Sequence, residues 1–154
     1  MSIVSDSNHW MFVSSNGGLT IGRQNSNYAL FPYYTDDKLI ENAESAGSRT
    51  LFWVTKGAAR HLWQPFSNRA QPKVTRNLYK GEYGNKLIFE EINHDLDLTF
   101  RCRWSTSEEF GFIRDATLIN NAQESVSITL LDGIENVMPY GVPENLQAVG
   151  PLLV

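Results

Sequence analysis

Between residues 96 and 105 the chain alternates without interruption, with Leu96, Leu98, Phe100, Cys102 and Trp104 on one parity and Asp97, Thr99, Arg101 and Arg103 on the other. Successive side chains of a strand point to opposite faces, so this run predicts a strand with one dry and one wet face. Similar segments, rich in Val, Ile, Thr and aromatic residues and separated by turn clusters, recur along most of the sequence. Helical periodicity is scarce. The pattern predicts an antiparallel all-β protein.

Residues 9–14 and 19–23 read as two strands around Asn16-Gly17-Gly18, a tight turn that needs positive φ. Residues 28–34 are aromatic, but Pro32 lacks a ladder donor and restricts any strand there to an edge or a bulge. Residues 36–44 carry a capping signal for one short helix, with Gly47 as a stop. Strands follow at 49–55, 60–66, 74–79 and 86–92, the last two joined as a hairpin through Gly81 and Gly84. Residues 110–119 and 126–131 complete the set. Asn120 to Glu124 read as a hairpin loop between them, and Val126, Ile128 and Leu130 are expected to face inward. Residues 144–154 are expected to be irregular. The apolar ending AVGPLLV is either packed into the body or the mark of a chain cut from something longer, and truncation is the reading preferred here.

The length of 154 residues suits one domain with a core of its own, and a hydrophobic fraction of 42% against 19% charged residues is that of a folded globular chain. The net charge is -4 and the 13 basic residues are scattered, so no phosphate-tracking stripe exists and nucleic acid is not an expected partner. The N-terminal residues lack a basic segment followed by a long apolar one, and no stretch approaches the roughly 18 apolar residues of a membrane span. Cys102 is the sole cysteine. It rules out an intramolecular disulfide, which suits a cytoplasmic location and is also compatible with the periplasm.

Candidate chemistry is sparse. No nucleophile elbow, phosphate loop or dinucleotide fingerprint occurs, so no cofactor is implied. His94-Asp95-x-Asp97 reads as a solvated turn rather than a metal site, because on a strand both aspartates would fall on the face opposite the histidine. Glu90-Glu91 and Glu108-Glu109 read as surface acids rather than the paired carboxylates of a glycosidase. Asp36 and Asp37 follow Phe31-Pro32-Tyr33-Tyr34. Rings that stack on a sugar beside carboxylates that accept its hydroxyl protons would form a carbohydrate site, although the acids serve equally as a helix cap. Among the tryptophans, Trp63 beside His61 and Gln64 is the candidate for an exposed platform. The candidate sugar-binding set is therefore Tyr33, Tyr34, Asp36, Asp37 and Trp63.

Two blocks, NGGLTIGRQNSNYALFPYYTDDK at residues 16–38 and FGFIRDATLINNAQESVSITLLDGIENVMPYGV at residues 110–142, carry a family likeness. They resemble the N-terminal β-supersandwich domain of multidomain carbohydrate-active enzymes of the cellobiose-phosphorylase-like type. The resemblance covers about half of the chain. It implies a two-sheet antiparallel sandwich, as in galactose-mutarotase-like proteins, and places the family's catalytic acid in a downstream helical barrel that this chain does not contain. The family domain is longer, which implies a partial copy whose uncovered edges or face would pair with a second copy. The expectation is a non-catalytic accessory domain of a carbohydrate-processing enzyme. The alternatives are a mutarotase-like or glycosidase-like enzyme using His94 or His61 with a glutamate, and a protein-protein assembly module.

Overall fold

The computed structural model describes residues 1–147 apart from Asp6, Tyr34, Asp36, Asp37 and residues 70–72. Among the described residues nine strands make up most of the regular structure: β1 (His9–Val13), β2 (Leu19–Arg23), β3 (Gly47–Lys56), β4 (Ala59–Trp63), β5 (Val74–Lys80), β6 (Lys86–Asn93), β7 (Leu98–Ser107), β8 (Gly111–Asn120) and β9 (Ser127–Glu135). They form a four-stranded sheet in the order β5-β6-β7-β8, a three-stranded sheet β4-β3-β9 and the hairpin β1-β2, all antiparallel. The protein is an all-β, sandwich-like fold.

The core lies between the two larger sheets. On β7, Leu98, Phe100, Cys102 and Trp104 are buried while Arg101 and Arg103 are exposed, as the alternation requires. Phe52 and Val54 of β3 and Leu87 and Phe89 of β6 join them in one cluster. Phe52 meets Phe100 edge-on at 5.3 Å between ring centroids. The hairpin adds Met11, Val13, Leu19 and Ile21 to the same cluster and caps the end where β3 and β8 begin. Its turn carries Gly17 at φ +90, the left-handed backbone expected of Asn16-Gly17-Gly18.

Several local expectations are corrected. Residues Asn120 to Glu124 do not close a hairpin, because β9 pairs with β3 rather than β8 and the segment crosses from one sheet to the other. The Asn120 side chain bonds the Ala122 N–H and the Glu124 carbonyl, local bonds that favour a tight turn whichever sheet the next strand joins. Leu130 lies opposite Phe52 and so on the inward side, yet it is 57% exposed because the facing sheet does not cover it. Val126 and Ile128 pack against the core as expected.

The chain around Pro32 makes a 3-10 turn (Ser26–Tyr28) and a single bridge from Ala29 to Gly22 in place of a strand. The expected helix is a 3-10 turn at Glu41–Glu44. Near the end, where irregular chain was expected, Glu144–Gln147 form one turn of α-helix, α1. No helix among the described residues is long and apolar enough to cross a membrane.

Candidate functional site

The two neighbouring glutamates of β6 are both buried, Glu90 at 3% and Glu91 at 1% exposure, which overturns their reading as surface acids. Adjacent strand residues point apart, so each acid has its own set of partners. Glu91 faces the core. Its Oε1 accepts from the Trp63 indole at 2.8 Å, and its Oε2 accepts from the Phe66 backbone N–H at 2.7 Å and from Arg76 Nε at 2.8 Å. Arg76 reaches on to the Ser67 carbonyl and Asn68 Oδ1, tying the β4–β5 connection to the sheet.

Glu90 lies on the outer face. There it accepts from Asn77 Nδ2 at 2.8 Å, the Tyr79 hydroxyl at 3.1 Å and Arg101 Nε at 2.5 Å. The Asn77 bond and the Arg101 guanidinium hold its carboxyl below the usual glutamate value. The same bond from Tyr79 to Glu90 pushes the phenol up. Each carboxylate takes three hydrogen bonds from its own chain, an arrangement that fixes strands rather than one that meets a ligand.

The surface offers two larger clefts. One, of about 360 Å³, is bordered by charged residues that are already paired. Arg49 bonds Glu135, Arg69 bonds Glu44 and Arg114 bonds Asp132. The other, of about 310 Å³, is lined by aromatic and apolar side chains with two polar groups, His9 and Arg23. A mostly apolar cleft with a few placed polar groups is the usual form of a small-ligand site. This cleft is the candidate.

Five separate segments build it: the start of β1, the end of β2, the chain after the 3-10 turn, the entry to β8 and the strap that follows β9. Gly22 permits the close approach, because a Cβ there would stand 2.4 Å from Trp10 Cζ2 and 2.7 Å from the Tyr28 carbonyl. Leu30 N–H then bonds the Ile21 carbonyl at 2.7 Å, and Met138 N–H bonds the Leu30 carbonyl at 2.8 Å.

The strap is fastened again beyond Tyr140. The Glu144 N–H donates to Asn27 Oδ1 at 2.9 Å, and Gln147 Nε2 donates to the carbonyls of Ser26 and Val142 at 2.7 and 2.9 Å. The Tyr28 and Tyr140 rings lie side by side, 5.2 Å between centroids and tilted by 39°, and Tyr140 is 86% exposed. Phe110 is likewise exposed, while Phe112 meets His9 edge-on at 6.3 Å. His9 Nδ1 bonds the Ser7 hydroxyl, which fixes the ring plane.

Of the residues nominated from sequence, Tyr34, Asp36 and Asp37 lie outside the described residues. Tyr33 packs edge-on against Trp10 at 5.8 Å and gives its backbone N–H to Gln147 Oε1 at 2.8 Å; it does not line the cleft. Trp63 is not an exposed platform. It is 2% exposed, lies against Phe52 and spends its indole N–H on Glu91. His94 stands in an exposed turn where Nε2 bonds the Thr75 hydroxyl. Glu108 and Glu109 are exposed in the turn between β7 and β8. Among the described residues, no three His, Cys, Asp or Glu side chains gather closely enough to hold a metal ion. Tyr28, Phe110, Phe112 and Tyr140 were missed because they are far apart in sequence; the one local hint is an exposed-type tyrosine in the broken segment Met138-Pro139-Tyr140-Gly141.

Compared with known proteins, the chain matches no family model and no curated protein sequence.

Proposed function

We propose that the chain is a non-catalytic accessory domain of a carbohydrate-processing enzyme, and that it holds a saccharide weakly in the cleft between β2, β8 and the Tyr140 strap. The observation that carries this reading is the pair of adjacent rings, Tyr28 and Tyr140, beside exposed Phe110. Aromatic faces stack on the apolar face of a pyranose, and the His9 ring and the Arg23 guanidinium at the same cleft suit its hydroxyls. Among the described residues the lining combines an imidazole with a guanidinium and includes no carboxylate, which favours holding a sugar over turning it over. Aromatic clefts also stack nucleobases, but a net charge of -4 with dispersed basic residues disfavours a polyanion. The likeness of residues 16–38 and 110–142 to a β-supersandwich domain supports the same assignment, since these blocks supply Arg23, Tyr28, Phe110, Phe112 and Tyr140.

The test is an amide NMR titration with cello-oligosaccharides and other neutral oligosaccharides at millimolar concentration. The reading expects shifts confined to the neighbourhood of Tyr28, Phe110, Phe112 and Tyr140, and their loss in Tyr140→Ala. Because Tyr140 is a surface ring, that variant keeps its stability within about 0.5 kcal/mol. A spectrum that stays unchanged with every sugar sinks the binding role.

A further inference from the structure

The edges of the two larger sheets are not alike. β4 is a five-residue edge carrying Arg60 and His61, β5 carries Arg76 and Lys80, and β8 carries Arg114 and Asp115. Short length and charged side chains are the usual ways of keeping an edge from pairing. β9 is the least protected: it runs for nine residues without lysine, arginine or proline, its only charges are the acids Asp132 and Glu135, and among the described residues nothing pairs with its outer edge. Leu130 and Ile134 on its inward side are 57% and 56% exposed, and Leu131 on its other side is 68% exposed. The two acids of the strand are already satisfied within the chain, Asp132 by Arg114 and Thr50 and Glu135 by Arg49.

We propose that β9 pairs with β9 of a second copy of this chain, antiparallel about a two-fold axis through Leu131, so that two three-stranded sheets become one of six strands. Leu131 is the midpoint of Ser127–Glu135, and only a two-fold axis there pairs every residue of the strand. In that register Leu131 meets its own copy, Ile128 meets Ile134, and Thr129 meets Gly133. Asp132 lies opposite Leu130 and Glu135 opposite Ser127, so no acid faces an acid; moving the axis one residue on, to Asp132, would set that carboxylate against itself. The paired strands run for about 30 Å, at about 3.4 Å per residue. The surface is separate from the aromatic cleft, and association is measured without any sugar.

The experiment is sedimentation of the full chain across the micromolar range together with cysteine cross-linking. The two copies of residue 131 would sit directly opposite, with Cα atoms about 4.5–5.5 Å apart, within disulfide reach. Leu131→Cys is therefore expected to lock as a covalent dimer on mild oxidation. Thr129→Cys, on the same face but more than about 10 Å from its own copy, is not. Leu131→Lys, checked for folding by circular dichroism, is expected to weaken the dimer by about 100-fold. A chain that sediments as a monomer throughout overturns the proposal. So does an oligomer that Leu131→Cys fails to lock, or one that a folded Leu131→Lys leaves intact, since either would place the contact, or another strand, elsewhere.

Discussion

The indole of Trp63 on β4 donates to Oε1 of Glu91 on β6 at 2.8 Å, a hydrogen bond that joins the two main sheets across the core. The carboxylate also holds the Phe66 N–H and Arg76, so its removal strands three donors at once. Leaving buried donors unpaired costs far more than the net worth of the bonds themselves. Glu91→Ala is expected to lower stability by about 3–5 kcal/mol in chemical denaturation, with Glu91→Gln losing less because one acceptor oxygen remains. Trp63 emission should shift to longer wavelength in the alanine variant under native conditions. A loss below about 1 kcal/mol would mean that the site refills with water at little cost.

Glu90 makes stability depend on acid. Its folded-state value lies below the ordinary 4.5, first through the Asn77 bond and then through Arg101 and Tyr79. A depressed carboxyl stabilises the fold fully above its unfolded value, and that contribution fades as pH falls through the folded value. Asp132, held low by its bonds from Arg114 and Thr50 against the opposing effect of burial, acts in the same direction. Melting temperature should therefore be level near neutrality and decline below about pH 4.5. Glu90→Gln should flatten that decline; an equally steep fall in the variant would assign the acid sensitivity to other groups.

Gly22 tests the packing beneath the cleft. A methyl group there would meet Tyr28 and Ala29 backbone atoms at 2.7 and 2.9 Å, as well as the Trp10 ring. Gly22→Ala should cost about 1–3 kcal/mol by overpacking. It should also displace the Tyr28 segment, visible as amide shifts spreading to Leu30 and Met138. A variant as stable as the parent would show that this segment gives way freely.

Cys102 is expected to be inert. It is buried on the dry face of β7, and burial pushes its thiol above the ordinary value. Labelling by a disulfide reagent should be slow in the native protein and accelerate with denaturant in step with unfolding. Rapid labelling without denaturant would reveal local opening of the sheet.

The strand pattern was readable wherever one face is dry. β7 declared itself through Leu98, Phe100, Cys102 and Trp104, and the β1–β2 turn through Asn16-Gly17-Gly18, because both signals are local. What could not be read is what distance in sequence conceals. Glu90 and Glu91 look like any surface pair until Arg101, Asn77, Trp63 and Arg76 arrive from three other strands. Trp63 follows four exposed residues of β4, so its burial had no periodic signature. The Asn120 loop carries the same side-chain-to-backbone bonds whether the next strand turns back or crosses over. The cleft joins Tyr28 to Tyr140 across more than a hundred positions, and no window of sequence contains both.

The crossover from β8 to β9 has a kinetic consequence. β3 finds one of its two neighbours at once, in β4, and must wait for the other until residues 127–135 have been made. During synthesis the flank of β3 beside Thr50, Phe52 and Val54 stays bare while the four-stranded sheet is already able to assemble from consecutive hairpins. Closing so long a loop is slow relative to hairpin formation, so docking of the last strand should set the pace of folding. The half-built chain, with an open β3, is the species that holding chaperones would meet.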